Sequence, residues 1–315
     1  MNIIRGLSQL QRAEPGLVLT IGNFDGVHLG HQAVIDQVLG QAQSAGMKAA
    51  VMTFDPQPRE YFDNEADIPP RLTRFREKVD LLKQGGAIDL ICMPFNERLA
   101  QMPAEDFVKE VLVDALNVRY IVVGDDFRFG QGRKGDFALL EKLGKVHDFD
   151  VLNTPTLDYQ GRRVSSTRIR KALVKDDLGL ANALLGRTYS ISGRVAHGDK
   201  RGRIIGFPTA NVFLHRDASP VKGVYAIKCH GIHDEPVLGV ANVGTRPTVG
   251  GKRKLLEVHL FDFNDEIYGR EVNVAFHHKI RDEKKFESFE LLKAQILKDA
   301  DSAKKYFAND SEHTE

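Results

Sequence analysis

Cysteine is scarce in this chain, and so are long apolar runs. The 315 residues include only two cysteines, Cys92 and Cys229, and each lies in an apolar, strand-like run. Such a pair offers neither the close spacing of a metal site nor a disulfide framework, so both are expected to be buried thiols. No apolar run approaches the roughly 20 residues of a membrane-spanning helix, and residues 1–16 lack the apolar core of a signal peptide. The sequence therefore predicts a protein of the reducing cytoplasm.

The chain also lacks a large excess of charges of either sign. Lys and Arg number 44 against 43 Asp and Glu, which leaves a formal net charge of +1. This balance argues against a generally basic nucleic-acid binder and against an acidic tail, so any binding of anions must come from local sites. At about 150 residues per domain, the length suggests two domains.

The first part of the chain alternates strand-like and helix-like segments. Strands are predicted at 17–21, 48–54, 88–93 and 120–123, and helices at 31–45, 71–84, 103–115, 136–143 and 166–174. This order predicts an α/β domain with a parallel sheet and right-handed crossovers.

The pattern changes after about Gly186. Short alternating runs at 189–195, 224–228, 238–243, 255–261 and 272–276 are separated by glycine and proline, and a helical stretch at 284–307 follows. Strands at this spacing predict a small antiparallel β-barrel with a terminal helix. The predicted domains are residues 1–186 and 187–315.

A histidine pair follows the first of the predicted strands. Residues 20–31 read Thr-Ile-Gly-Asn-Phe-Asp-Gly-Val-His-Leu-Gly-His, so a strand ends, glycines permit a tight turn, and a helix begins near Gly30. A helix start offers unpaired N–H groups and a positive dipole end, which suit an anion. His28 and His31 can donate to triphosphate oxygens and stabilise charge in a transition state. Surface histidines beside a turn are the alternative interpretation.

A second string, Ser165-Ser-Thr-Arg-Ile-Arg170, begins a later predicted helix. Hydroxyls and arginines at a helix start suit phosphate, although an ordinary serine cap with exposed arginines is the alternative. In this order and separation, the two strings resemble the nucleotidylyltransferase superfamily, whose His-x-Gly-His and Ser/Thr-rich signatures contact ATP. The resemblance implies a Rossmann-like N-terminal domain.

Further strings narrow this resemblance. Thr53-Phe-Asp-Pro-Gln-Pro58 and Val123-Gly-Asp-Asp-Phe-Arg-Phe-Gly130, with Gly22-Asn-Phe-Asp-Gly26, look like the FMN adenylyltransferase module of prokaryotic bifunctional FAD synthetases. That family often has histidine at the position of Gln57, so a role for Gln57 stays open. The resemblance implies nucleotide contacts for Gly22, Asn23, Phe24, His28, Gly30, His31, Asp126, Ser166, Thr167 and Arg168, of which His28, His31 and Arg168 are catalytic. It implies flavin contacts for Phe54, Asn96, Asp126, Phe127 and Phe129; core packing is the alternative for Phe127 and Phe129.

The second half contains a glycine-rich basic stretch, residues 193–211, that ends in Pro208-Thr-Ala-Asn211. It is not a P-loop, and on glycine spacing alone it would fit a mobile hairpin. Thr209 and Asn211 would share one face of a strand, where a hydroxyl and an amide oxygen can complete the shell of a Mg²⁺ ion. The stretch resembles the riboflavin kinase signature. This implies ATP contacts for Gly198, Lys200, Gly202, Gly206, Pro208, Thr209 and Asn211, with Thr209 and Asn211 as metal ligands.

Glu257 is a charged residue in the alternating run 256–262. A carboxylate can accept the proton of a primary hydroxyl during phosphoryl transfer, and Glu257 matches the general base of riboflavin kinases. Arg281 matches a family position near the flavin, although an exposed role is the alternative. Residues 241–247, Ala-Asn-Val-Gly-Thr-Arg-Pro, form another family string; we assign its Asn242 to barrel shape and loop geometry rather than to chemistry.

Together, these resemblances imply a bifunctional enzyme. Residues 187–315 would convert riboflavin and ATP to FMN and ADP, and residues 1–186 would convert FMN and ATP to FAD and pyrophosphate, both with Mg²⁺. No nucleic acid, membrane or obligatory protein partner is expected. The alternatives are a nucleotidylyltransferase of another substrate class, such as a cytidylyltransferase or a class I tRNA synthetase, and a barrel that binds nucleic acid through the basic clusters at 200–203 and 252–254.

Overall fold

The computed structural model describes residues 1–6, 9, 12–63, 68–86, 88–196, 209–214, 218–248 and 251–312. The chain divides into two compact units. The first comprises Met1–Pro69 and Thr73–Ser165, and the second comprises Pro70–Leu72 and Ser166–Glu315. The predicted domain boundary after Gly186 stays a prediction.

The first unit is built on a six-stranded parallel sheet. Its strands in chain order are β1 (Ile3–Arg5), β2 (Leu17–Ile21), β3 (Lys48–Phe54), β4 (Asp89–Met93), β5 (Val118–Val123) and β6 (Asp150–Asn153), and their order across the sheet is β1-β4-β3-β2-β5-β6. Every pairing is parallel. The order reverses between β2 and β5, and ligands of open α/β sheets bind outside the carboxyl ends of the strands at such a point.

Helices and a short hairpin complete the described part of this unit. They are α1 (Leu29–Ala45), α2 (Pro58–Phe62), α3 (Phe75–Gln84), α4 (Glu97–Gln101), α5 (Ala104–Asp106) with the π-helical Phe107–Ala115 after it, α6 (Phe137–His147), and the strands β7 (Asp158–Tyr159) and β8 (Arg162–Arg163). Both faces of the sheet are covered. Along β2, Leu17, Leu19 and Ile21 belong to one apolar cluster while Val18 belongs to another, as alternation of side chains between two buried faces requires.

The second unit holds a closed antiparallel barrel. Its elements are α7 (Ser166–Val174), α8 (Leu178–Leu185), β9 (Ser190–Ala196), β10 (Ala210–Phe213), β11 (Gly223–His230), β12 (Val237–Thr248), β13 (Gly251–Leu260), β14 (Glu271–Arg281) and α9 (Phe289–Glu312). The strands close in the order β10-β13-β12-β11-β14-β9. α9 covers one side of the barrel, where Ala303 and Phe307 pack on Ala226 and Val240.

The predicted α/β class, parallel sheet, barrel and terminal helix are confirmed, with shifts at several element ends. The helix predicted from residue 71 begins at Phe75, and the one predicted from 284 begins at Phe289. The sequence analysis does not predict the short strands β1, β6, β7 and β8 or the helices α2, α4 and α8. Both cysteines are buried free thiols, and burial raises the pKa of Cys229 to about 12. Across the described residues, every helix is too short or too polar to cross a membrane.

Candidate active sites

The loop between β2 and α1 has a tightly constrained backbone. After the buried strand, the Gly22 N–H donates to the carbonyl of Met52 on β3 at 3.0 Å. Phe24, Gly26 and Val27 then have positive φ angles of 47°, 88° and 38°. Such angles are costly for Phe and Val and persist only where the surroundings enforce them.

Asp25 and Thr73 form hydrogen bonds that help to hold this backbone conformation. The buried Asp25 carboxylate accepts hydrogen bonds from the Thr73 backbone N–H at 3.0 Å and from its hydroxyl at 3.2 Å. The Thr73 hydroxyl oxygen in turn accepts from the Gly26 N–H at 2.9 Å. A side-chain pair from distant parts of the sequence therefore holds the turn.

Lys78 also holds the backbone of this loop in place, and the sequence analysis does not identify it. This side chain is 1% exposed, and its ammonium donates to the Asn23 carbonyl at 2.6 Å and to the Thr53 hydroxyl at 3.2 Å. A buried ammonium must be well hydrogen-bonded, because its desolvation is costly. The available signal was a lysine on the apolar face of α3, between Phe75 and Val79.

The predicted histidine pair lies at the start of α1. The His28 and His31 rings stack with centroids 3.6 Å apart at 13°. His28 caps the helix, since its Nδ1 accepts from the His31 N–H at 3.3 Å. A Cβ at Gly30 would lie 3.3 Å from two atoms of the His28 ring, so glycine leaves room for that ring. Two imidazoles at the positive end of a 17-residue helix form a suitable anion site.

The loop after β5 starts at the point where the strand order reverses. Asp126, predicted to contact nucleotide and flavin, accepts a hydrogen bond from Arg163 on β8. This guanidinium holds the pKa of the Asp126 carboxyl below its ordinary value. Phe127 and Phe129 follow, stacked with ring centroids 5.5 Å apart. Phe129 is buried and also belongs to the core of the sheet.

An aromatic cavity of about 780 Å³ lies at the carboxyl ends of the strands. Three of the predicted flavin-binding residues line it, namely Phe54, Phe127 and Phe129. Its other aromatic walls are Tyr61, Phe62, Phe95 and Phe107. Sequence reasoning missed these four, because they come from separate segments and only the fold brings them together.

Two residues near this cavity do not line it. Asn96, predicted to contact flavin, caps α4 by accepting from the Leu99 N–H at 3.1 Å. Gln57 is buried, and its backbone N–H donates to Glu60 Oε2 at 2.8 Å. Its side-chain Nε2 is buried with no hydrogen-bond partner among the residues that the structure describes.

Ser166, Thr167 and Arg168 begin α7, which belongs to the second unit. Later in the same helix, the Arg170 guanidinium donates to the Pro70 carbonyl at 2.8 Å. The predicted helix 166–174 is confirmed, and the hydroxyls of Ser166 and Thr167 lie in its first turn.

Three polar residues form a row across adjacent strands of the barrel. Glu257 on β13 pairs in register with Asn211 on β10 and with Asn242 on β12. Residues directly opposite each other in antiparallel strands present their side chains on the same face. Asn242 Nδ2 lies 3.5 Å from Glu257 Oε2. The row thus places the predicted base, Glu257, between the predicted metal ligand Asn211 and Asn242, to which the sequence analysis assigns no chemistry.

The glycine-rich stretch before this row is only partly described. The predicted ATP-binding residues Gly198, Lys200, Gly202, Gly206 and Pro208 lie outside the described residues, whereas Thr209 and Asn211 lie within them. Asn211 is buried at 8% exposure, beside the carboxylate of the row. A hydroxyl, an amide oxygen and a nearby carboxylate are oxygen donors of the kind that Mg²⁺ takes in proteins.

Arg281 lies at the end of β14 and forms a close ion pair. Its Nε and Nη2 donate to the Asp299 carboxylate of α9 at 2.7–3.0 Å, and Asp299 is nearly fully buried. Gln295 donates to the same carboxylate at 2.8 Å. Removing one partner of a buried pair costs about 3–5 kcal/mol. Arg281 therefore links the barrel to its terminal helix, and its contact with flavin stays a prediction.

Two family models match the chain, one for each half. The model described as FAD synthetase matches residues 10–168, and the one described as riboflavin kinase matches residues 185–307. A bifunctional riboflavin kinase/FMN adenylyltransferase of Escherichia coli K12 is 49% identical over 308 residues, which cover 98% of each chain. The chain belongs to the bifunctional riboflavin kinase/FMN adenylyltransferase family.

Other members and one solved structure extend the comparison. A protein of the same description from Haemophilus influenzae is 48% identical over 307 residues, covering 98% of this chain and 99% of the relative. A crystal structure of a Streptococcus pneumoniae protein, described as a macrolide-efflux protein, matches with a TM-score of 0.79 and 32% identity. It covers 95% of this chain and 97% of the other. The likeness to family members thus extends over both halves.

Proposed function

We propose that this chain makes FAD from riboflavin in two ATP-dependent steps. The barrel phosphorylates riboflavin to FMN, and the parallel-sheet domain transfers AMP from a second ATP to FMN. The observation that carries the proposal is the presence of two separate polar sites in one chain, a histidine pair at a helix start and a carboxylate row in a barrel. We assign residues 1–186 to adenylyl transfer and 187–315 to the kinase.

The adenylylation step needs little proton transfer. The phosphate of FMN is anionic at neutral pH and attacks the α-phosphorus of ATP in line, whereupon pyrophosphate leaves. Positioning and charge stabilisation should therefore dominate. We assign the triphosphate to His28, His31 and the N-terminus of α1. Ser166, Thr167 and Arg168 are assigned to ATP because they match the Ser/Thr-rich signature of the family. Gly22, Asn23, Phe24, Gly30 and Asp126 are assigned to the nucleotide.

The aromatic cavity is the proposed site for the ring system of FMN. Its walls offer stacking surfaces for a planar heteroaromatic ring, and its volume falls within the roughly 300–1,000 Å³ of ordinary ligand pockets. Phe54, Phe127 and Phe129 are among the residues that line it. Phe62, with 63% of its surface exposed, offers an aromatic side chain to a ligand without being needed by the core.

Truncation of Phe62 tests this assignment. Phe62→Ala is expected to raise the FMN KM of adenylylation roughly tenfold, because a lost aromatic stack of about 1 kcal/mol or slightly more has that effect. The kinase step should not change. Val146→Ala is the matched control, since Val146 is an equally exposed apolar residue of the same unit that does not line the cavity. An unchanged FMN KM in Phe62→Ala would place the flavin elsewhere.

The kinase step uses a neutral hydroxyl as nucleophile and so needs a base. We propose that Glu257 accepts the proton of the primary hydroxyl of riboflavin while the hydroxyl oxygen attacks the γ-phosphorus of ATP and ADP leaves. Thr209 and Asn211 would hold a Mg²⁺ ion, which supplies neutralisation of phosphate charge when bound. Gly198, Lys200, Gly202, Gly206 and Pro208 are assigned to ATP, and Arg281 to the flavin.

The proposed substrates are the small molecules riboflavin, FMN and ATP. We propose a cytoplasmic location, where a reducing environment suits the two buried free thiols, Cys92 and Cys229.

A single reaction mixture tests both activities. Purified protein is incubated with riboflavin, ATP and Mg²⁺, and the flavins are separated by chromatography over time. FMN should form first and FAD should follow. If FMN never forms, the kinase proposal is wrong; if supplied FMN is never converted to FAD, the adenylyltransferase proposal is wrong.

A further inference from the structure

Asn242 has the contacts of a residue that serves Glu257. The two residues are directly opposite each other on β12 and β13, and Asn242 Nδ2 approaches Glu257 Oε2 at 3.5 Å. The reverse orientation of the amide would place two acceptor oxygens side by side. The N–H end must therefore face the carboxylate. Catalytic hydrogen bonds are often long before substrate binds and shorten in the reacting complex.

The other end of this amide argues against a purely structural role. Asn242 Oδ1 is buried and has no hydrogen-bond partner within the described part of the chain. A buried acceptor without a partner costs about 1–3 kcal/mol. In contrast, the structural Asn273 in the same barrel donates to the Ser190 and Ser192 hydroxyls at 2.9 and 2.8 Å. This free-energy cost indicates that the position of Asn242 serves Glu257 rather than the stability of the barrel.

Gly244 keeps space open beside the same amide. A Cβ at this position would lie 3.3 Å from Asn242 Nδ2 and 2.6 Å from Glu283 Oε1. Any side chain there would displace one of these groups. The local sequence therefore leaves the Asn242 amide room to keep its orientation toward Glu257.

We propose that Asn242 is a positioning residue for the kinase step, a role that rests on the proposed function of Glu257. Its amide N–H holds one oxygen of the Glu257 carboxylate, so that the other oxygen faces the hydroxyl of the substrate. That oxygen takes the proton as the new bond from the hydroxyl oxygen to the γ-phosphorus forms and the bond to the departing ADP breaks. Asn242 itself exchanges no proton.

The first test separates positioning from binding. Asn242→Leu is expected to lower the kcat of riboflavin phosphorylation about 10²-fold, the loss typical of a catalytic group misplaced by about 1 Å. The riboflavin KM should stay within about threefold, because the ligand contacts remain. Asn242→Asp, which is nearly isosteric, should show the same split. A circular-dichroism spectrum and a thermal unfolding curve like those of the unaltered protein report that these variants are folded. Asn273→Leu is the matched control, expected to lower thermal stability while keeping kcat within about threefold.

The second test asks whether Asn242 acts through Glu257. In a Glu257→Gln background, Asn242→Leu should lower the residual kcat by less than about threefold, because residues that act as a unit are not additive. An equal loss in both backgrounds would show that Asn242 acts independently and would overturn the proposal. A single Asn242→Leu variant with nearly normal kcat would overturn it as well. Failure of Glu257→Gln to impair phosphorylation would refute the proposed base instead.

Discussion

Glu257→Gln is expected to reduce riboflavin phosphorylation about 10³-fold, within the range that general acid–base groups contribute. The substituted amide has nearly the same shape but cannot accept a proton from the hydroxyl. The neighbouring residues Asn211 and Asn242 are both neutral amides paired in register with this position. Neither can replace the missing base, so little activity should remain.

Adenylylation of supplied FMN should be unchanged in this variant, because its proposed site is assigned to residues 1–186 and does not include Glu257. Both activities are measured on the same preparation, by chromatography of products from riboflavin and, separately, from FMN. Glu235→Gln serves as control, since Glu235 is an exposed glutamate of the same barrel outside the row. Near-normal FMN formation by the folded Glu257→Gln protein would contradict the assignment of the base.

His31→Ala is expected to produce the opposite pattern. Adenylylation of FMN should fall about 10²- to 10³-fold, as when one donor to a developing charge is removed. His31 is a sharper choice than His28, because His28 also caps α1 and its loss would cost about 1 kcal/mol of helix stability. Riboflavin phosphorylation should remain normal.

The comparison needs a histidine without a proposed role. His147, near the end of α6, is the only other histidine of the first unit, so His147→Ala is the matched variant. Rates of pyrophosphate release with supplied FMN give the adenylylation activity. If folded His31→Ala and Glu257→Gln each lost both activities equally, the two sites would not be separable.

The sequence was most informative where a motif is local. The loop from Gly22 to His31 lies between one strand and one helix, so its string alone predicted the helix start and the histidine pair that the structure contains. The strands β2 and β3 were predicted with their observed bounds, because both are mostly apolar runs, and all of β2 and the middle of β3 are buried.

The sequence was least informative where distant segments meet. Thr73 and Lys78 support the loop from positions about fifty residues away. Aromatic walls of the cavity likewise come from α2, from the connection between β4 and α4, and from the connection between β5 and α6. Hydrophobic periodicity describes each segment separately and cannot show that these segments lie together. Asn242 belongs to the family string 241–247, but its place beside Glu257 depends on strand register, which only the closed barrel defines.

The buried Lys78 also bears on how the proposed nucleotide site meets its ligand. When the unit folds, the Lys78 ammonium loses its water and instead donates hydrogen bonds to the Asn23 carbonyl and the Thr53 hydroxyl. The loop backbone is therefore ordered by the protein interior before ATP arrives, and less conformational entropy remains to be lost on association. Lys78 is not assigned to contact the nucleotide, but by ordering the loop it helps to set the affinity of the proposed site for ATP.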